Sequence, residues 1–330
     1  MKKIALVAAL AAVAAPAFAQ SSVTLWGRIN TTVESQKEGN QDRKTVVQNN
    51  SSRLGLKGTE DLGGGLKASF ALEHGFNSDT GSVQTFGAPA STFWSRASYV
   101  ELGTADTGSV RLGKWFPGSY FATADYVSMH NHDTGTSSDA LYAFGNFASA
   151  TQNKVAYFSP TISGFQVELA VSAGEGTAAT AAERAVHQRA VTPRIIDVAV
   201  NYDQGPLHGG FGYQKQGDFS QYALRGLYEM GPFVFGGYAQ REEVTGRKSR
   251  DIGRISAMYV VGAQEFHINV GGTKSGGTFG NTGASQYTLG YNYNLSKRTK
   301  IYGFYTAIDN KAPGKVGDFS SLAAGIRHNF

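Results

Sequence analysis

The chain alternates. Val23, Leu25, Gly27 and Ile29 interleave with Thr24, Trp26, Arg28 and Asn30, and Phe165, Val167, Leu169 and Val171 interleave with Gln166, Glu168, Ala170 and Ser172. The same period of two runs through Ile196, Val198, Val200 and Tyr202, and again through Tyr287, Leu289, Tyr291 and Tyr293. Successive side chains of a strand point to opposite faces, so each segment reads as a strand with one apolar and one polar face. Short turn signals fall near 62–65, 105–108, 159–164, 204–206, 231–232, 262–264 and 295–297. Between them lie connections that are mostly longer, at 35–50, 76–90, 116–151, 175–194, 217–219, 244–248, 274–284 and 309–318. Seven turns and eight loops predict about sixteen antiparallel strands, and no linker divides them. An even number, with short turns at one end and long loops at the other, fits an all-β transmembrane antiparallel β-barrel.

A soluble sandwich or propeller also alternates, but its inner faces must meet in a large apolar core. With 41% hydrophobic residues and few continuous apolar runs, such a core is poorly supplied. In lipid, only helices and closed barrels satisfy every backbone polar group. The one helix-like apolar run is Ile4 to Ala15, preceded by Lys2 and Lys3 and followed by Ala17-Phe18-Ala19. That order predicts a signal peptide over 1–19, cleaved after Ala19, and a barrel over 20–330. The run is shorter than the roughly 20 residues of a spanning helix.

Composition sharpens this in two ways. The sequence has no Cys, so an exported chain is stabilised without disulfides and thiol chemistry is excluded. Its 42 Gly, 16 Tyr and 20 Phe against 8 Pro favour strands and tight turns. The formal net charge of +5 becomes +3 without Lys2 and Lys3. No basic cluster with interleaved aromatics accompanies it, so no nucleic-acid partner is expected.

Candidate chemistry is sparse. In MHNHDTG, Met129 to Gly135, His130 and His132 suit zinc by ligand type, but Asp133 follows His132 directly and Thr134 comes next. The spacing of a His-x-His-x-Asp-His metal site is absent, and no metal or cofactor is expected. GTEDLGGGLK, Gly58 to Lys67, lacks the phosphate-loop spacing and reads as a turn. His74, Ser78, Asp79, His130 and Asp133 are of the types a hydrolase rim site uses, but no Gly-x-Ser-x-Gly supports them. A non-enzymatic channel is the expectation.

Parity assigns the lining. With Leu54 and Leu56 outward, Arg53 and Lys57 project inward; with Val110 and Leu112 outward, Arg111 projects inward; Arg28 and Lys67 follow by the same rule. Val100 and Leu102 outward would turn Arg96 outward too, unless a bulge corrects its face.

QSSVTLWGRIN at the mature start, SSRLGLKGTEDLGGGLKASFALE (Ser51 to Glu73), GSVRLGK (Gly108 to Lys114), VAYFSPTISGF (Val155 to Phe165), YNLSKRT (Tyr293 to Thr299) and the ending GIRHNF resemble the trimeric general porins of β-proteobacteria. The blocks run from the first strand to the last. The resemblance implies a barrel of about 16 strands, three barrels per assembly, and a third long loop folded inward to narrow each pore. It implies passive diffusion of ions and small hydrophilic solutes through the outer membrane of a Gram-negative bacterium. The expected partners are a homotrimer, membrane lipid and lipopolysaccharide, and the barrel-assembly machinery.

Within the resemblance, Arg53 matches an arginine of the basic constriction cluster, Arg96 lies near another, and Thr151 stands where close relatives often carry a basic residue. Where the first strand often carries an acid after TLYG, this chain has TLWGRIN, with Arg28 and Asn30. Arg53, Arg111, Arg96, Lys57 and Arg28 are therefore the expected basic wall, and an anion preference follows from raised local anion concentration. Asp125, Asp133 and Asp139, in the third loop, are the expected acids across the channel. His130 and His132 would add charge as pH falls, giving a pH-dependent selectivity. Phe330 shares a face with His328, Ile326, Ala324 and Leu322 and matches the terminal aromatic recognised during assembly.

Overall fold

The structure is a computed structural model. It describes residues 22–84, 92–127, 135–142, 151–174, 194–274, 283–311 and 317–330, without the side chains of 124–127 and 151. Strand segments β1 (Ser22–Glu38), β2 (Lys44–Asn49), β3 (Ser52–Gly63), β4 (Leu66–Phe76), β5 (Ala97–Thr104) and β6 (Gly108–Trp115) precede a helix, α1 (Gly118–Val127). After it come β7 (Thr151–Phe158), β8 (Phe165–Ser172), β9 (Ile195–Gln204), β10 (Leu207–Gln216), β11 (Phe219–Met230) and β12 (Phe233–Val244). β13 (Arg250–Val261), β14 (Gln264–Thr273), β15 (Ala284–Asn294), β16 (Thr299–Asn310) and β17 (Phe319–Asn329) complete the set.

Every segment pairs antiparallel with its neighbour, and β1 also pairs with β17, from Arg28↔Asn329 to Glu38↔Phe319. The sheet is therefore closed. β2 and β3 pair with successive parts of the same edge of β1, β2 against Thr31–Gln36 and β3 against Ser22–Arg28. They are one span interrupted at Asn50 and Ser51, where Ser51 takes a φ of 60°. The seventeen segments thus make sixteen spans of a closed barrel.

The burial pattern is inverted relative to a soluble protein. Outward-facing Leu25, Ile29, Val33, Leu224, Ile255 and Leu289 are exposed, while Asn30, Gln214, Glu242, Asn269 and Gln286 are buried. This is what lipid requires of a barrel: apolar outside and polar within. Outward aromatics also form a ladder near the short turns. Phe233 opposes Tyr259, Tyr259 opposes Phe266, and Phe266 opposes Tyr291, with ring centroids 4.9, 6.3 and 5.2 Å apart. Such rings suit the membrane–water interface at one rim.

Two expected loops are shorter than the sequence suggested. β1 continues to Glu38 and β2 starts at Lys44, so the 35–50 connection contracts to 39–43. Glu34 to Lys37 are polar on both faces and read as loop, yet the ladder to β17 carries them as strand. The 217–219 connection is a tight turn at Gly217 and Asp218, with Gly217 at a φ of 54°.

Candidate pore lining and constriction

Cross-strand register decides which side chains share the lumen. Arg28 pairs with Arg53, Gly55 with Glu73, Glu73 with Ala97, and Glu101 with Arg111, all on the face opposite Leu25, Leu54, Leu56, Val100 and Leu112. Arg53, Arg111, Lys57 and Arg28 thus lie on the inner face that parity predicted. Lys57 is exposed there, beside a pocket of about 450 Å³ whose walls include Thr24, Trp26, Glu73 and Tyr99. Lys67 is exposed next to the Gly64-Gly65 turn.

Arg96 departs from the alternation. It sits just before β5 in an irregular stretch, where its backbone N–H donates to Glu73 O at 3.1 Å. Freed from the strand's period, its side chain turns inward, with Nε 2.5 Å from Glu73 Oε1 and the guanidinium 4.8 Å from the Phe116 ring centroid. The same Glu73 oxygen is 3.6 Å from Arg53 Nη1. One carboxylate therefore gathers two guanidiniums on one wall. The irregular stretch thus frees Arg96 from the outward parity of Val100 and Leu102.

Arg111 is held differently. Its guanidinium meets Glu101 at 2.6 Å and lies 4.1 Å from the Tyr99 ring centroid and 4.3 Å from that of Phe158. It is clamped between aromatic faces with its own counter-ion, an arrangement suited to a planar, weakly hydrated cation. Nearby, Lys154 Nζ is 4.4 Å from the Trp115 ring centroid and 3.4 Å from Glu168, whose Oε1 also accepts from Trp115 Nε1 at 3.1 Å.

The described parts of the third loop lie against the inner wall. Gly118 opens α1 where a Cβ would stand 2.1 Å from Glu168 Oε2, so a side chain there would push the Glu168 carboxylate aside. The Ser119 backbone N–H donates to Asp197 Oδ1 at 3.1 Å, and its hydroxyl donates to Oδ2. α1 packs on β9, β10 and β11. Tyr120, Leu141, Tyr142, Tyr238 and Ile252 form a buried cluster beyond it, and burial pushes the Tyr142 phenol up from its ordinary range.

Asp139 is the centre of the second anchor. Its Oδ1 accepts from Arg254 Nη2 at 2.8 Å and from the backbone N–H of Leu141 and Tyr142 at 2.9 and 3.1 Å, and its Oδ2 accepts from Tyr238. Gln286 Oε1 accepts from Ala140 N and Arg254 Nη2, and its Nε2 donates to Ser138 O. A third contact runs from Thr136 Oγ1 to Glu34 Oε2 at 2.6 Å. The expectation that Asp139 faces Arg53 and Arg111 is corrected: its carboxylate is buried and consumed in fastening the loop to β13. Asp133, His130 and His132 lie outside the described residues, as does the side chain of Asp125.

The candidate rim residues go to separate partners. His74 Nδ1 lies 2.5 Å from Phe93 O with its ring stacked on Phe93, Ser78 binds Thr31 and Asn49, and Asp79 is exposed. Glu73, Glu101, Glu168, Asp197, Arg254 and Gln286 were missed as site residues. Alternation places several of them inward, but not the partners that give them work.

A family model of Gram-negative porins matches residues 5–313 of the chain. The chain is a Gram-negative outer-membrane porin. The porin is 30% identical over 373 aligned positions, 100% of each chain, to outer membrane porin protein 32 of Delftia acidovorans. It is 29% identical over 394 positions, again 100% of each, to an outer membrane porin of Bordetella pertussis. A solved anion-selective porin from Comamonas acidovorans superposes on it with a TM-score of 0.72 at 27% identity, covering 94% of this porin and 100% of that chain. Porins of this family are channels rather than enzymes, and the porin resides in the outer membrane.

Proposed function

We propose that this porin is a passive, anion-preferring channel for inorganic ions and small hydrophilic solutes, acting without catalysis or cofactor. The observation that carries it is the sharing of Glu73 by Arg53 and Arg96, at 3.6 and 2.5 Å, which leaves a net positive wall on β3 to β5. Positive charge in a water-filled lumen raises the local anion concentration, and salt screens the effect. The solved relative that superposes on the chain is itself described as anion-selective. Asp125 and Asp133 are the remaining loop candidates for an opposing acidic wall, with Asp139 serving as an anchor.

The same reading takes 1–19 as a signal peptide, 20–330 as the barrel, Phe330 as the assembly signal, and a homotrimer embedded in lipid and lipopolysaccharide as the working unit. A solved outer membrane protein of Vibrio cholerae with the same fold is described in a trimer form. The test is a planar bilayer with a potassium chloride gradient. Reversal potentials favouring chloride, reduced in Arg53→Ala, and conductance steps in groups of three are expected. Cation preference of the wild type overturns the proposal.

A further inference from the structure

The inner wall on the short-turn side of Arg53 carries a cavity laid out by cross-strand register. Trp26 pairs with Gly55, Gly55 with Glu73, and Glu73 with Ala97; two residues nearer the turn, Thr24 pairs with Lys57, Lys57 with Ala71, and Ala71 with Tyr99. Two residues further still, Thr59 pairs with Ser69. These positions alternate with exposed Val23, Leu25, Val100 and Leu102, so they face the lumen. Small residues, Ala71 and Ala97, lie between large ones, Trp26, Lys57, Glu73 and Tyr99, and the hollow holds about 450 Å³. Ligand sites occupy about 300 to 1,000 Å³.

The indole of Trp26 is laid flat against the wall. A Cβ on Gly55 would meet Cε2 of the ring at 2.5 Å and Nε1 and Cζ2 at 2.6 and 2.7 Å; the fused carbon is nearest, so the approach is to the ring's face. Its Nε1–H is buried with no hydrogen-bond partner among the described residues. Contact with the wall, and no hydrogen bond, holds the ring, which leaves its other face for the cavity it lines. Across the floor, Tyr99 lines the same cavity, with the Arg111 guanidinium 4.1 Å from its ring centroid.

The polar groups around this hollow are unpartnered. Lys57 Nζ, Thr24 Oγ1 and Tyr99 Oη make no hydrogen bond or ion pair among the described residues, and Lys57 is directly opposed only by Thr24 and Ala71. Glu73, the acid of the cavity, is a diagonal neighbour of Lys57, about 7 Å away by sheet geometry. Its Oε1 lies 2.5 Å from Arg96 and 3.6 Å from Arg53. Two guanidiniums offset that one carboxylate, so Lys57 leaves the cavity positive.

We propose that this cavity binds acidic monosaccharides, pyranose rings that carry a carboxylate, as they pass the Arg53–Arg96 wall. The negative face of an indole attracts the C–H groups of a sugar ring, whereas it faces an anionic aromatic ring with like charge. Lys57 supplies a charge-assisted contact to the carboxylate. Thr24, Tyr99 and the Thr59–Ser69 hydroxyl pair, 3.1 Å apart, offer donors and acceptors to the sugar hydroxyls. The inference rests on the proposed channel in requiring that anionic solutes enter the lumen, and it names the class of solute held there.

The test uses glucuronate as probe and the full-length porin in a planar bilayer. In potassium chloride, added sodium glucuronate lowers the single-channel current of the wild type in a saturable manner. Glucose, which lacks the carboxylate, and acetate, which lacks the ring, each need about tenfold more for half-block. In Trp26→Ala and in Lys57→Gln the half-blocking glucuronate concentration rises about tenfold, and Lys57→Gln brings glucuronate level with glucose. Heat-modifiable migration on a gel verifies that the variants are folded, and Lys57, being exposed, keeps the test decisive if Trp26→Ala does not fold. A wild-type current that glucuronate does not block, a block unchanged in folded Lys57→Gln, or benzoate blocking at lower concentration than glucuronate overturns the site. Cation preference in a salt gradient overturns the proposed function instead, and a glucuronate block that weakens in Lys57→Gln supports the site in either case.

Discussion

Arg96 and Glu73 are joined at 2.5 Å across the junction of β4 and the stretch before β5, and the pair ties that stretch to the inner wall. Both side chains are largely removed from solvent, and Arg53 approaches the same carboxylate oxygen. Glu73 thus sets how much positive charge the wall presents.

Replacing Glu73 with Gln removes the shared counter-ion while preserving shape. Chloride preference in a salt gradient should rise, because Arg53 and Arg96 lose the charge that offsets them. Stability should fall by about 2 kcal/mol through the loss of charged hydrogen bonds. Reversal potentials together with thermal unfolding of the detergent-solubilised barrel check both, and an unchanged chloride preference would deny Glu73 its role.

Arg111→Ala should act on stability more than on selectivity. The guanidinium already carries Glu101 at 2.6 Å and is packed against Tyr99 and Phe158. Its removal should cost about 1 to 2 kcal/mol in cation–π and stem packing. The shift in reversal potential should be smaller than for Arg53→Ala. An equal or larger shift would mean that Arg111 is a selectivity residue after all.

Loosening the loop anchor should be visible as noise. Arg254 and Asp139 form a buried pair, with side chains 1% and 3% exposed. Removing one partner strands the other charge at a cost of about 3 to 5 kcal/mol. Arg254→Ala should therefore give larger and more variable single-channel currents, since the loop no longer rests against β13. Quiet, wild-type currents from a folded variant would show that Ser119–Asp197 and Thr136–Glu34 hold the loop unaided.

Barrel closure depends on a glycine. Gly27 and Phe330 exchange backbone hydrogen bonds at 3.0 and 3.1 Å, and a Cβ on Gly27 would stand 2.3 Å from Phe330 Cζ and 2.7 Å from Arg53 O. The ring can swing away, but the Arg53 carbonyl is backbone. Gly27→Ala should cost about 1 to 3 kcal/mol. A lowered midpoint of unfolding in urea is the readout, and an unchanged midpoint would mean that the closing strands shift freely.

Local chemistry was enough to read the barrel from the sequence. Period-two alternation, short turns on one side and the wish of apolar faces for lipid are properties of neighbouring residues, and they placed Arg53, Arg111, Lys57 and Arg28 inside. They failed where the backbone leaves the strand period, as at Arg96, and where both faces are polar, as at Glu34 to Lys37. Which charges meet was decided only by tertiary structure. Closure sets residues some 300 positions apart side by side, as in Arg28 beside Asn329. The folded loop carries Asp139 to Arg254, 115 positions along the chain. Alternation gives a side chain its direction, but electrostatic partnership depends on distance through space, and that is a property of the closed sheet.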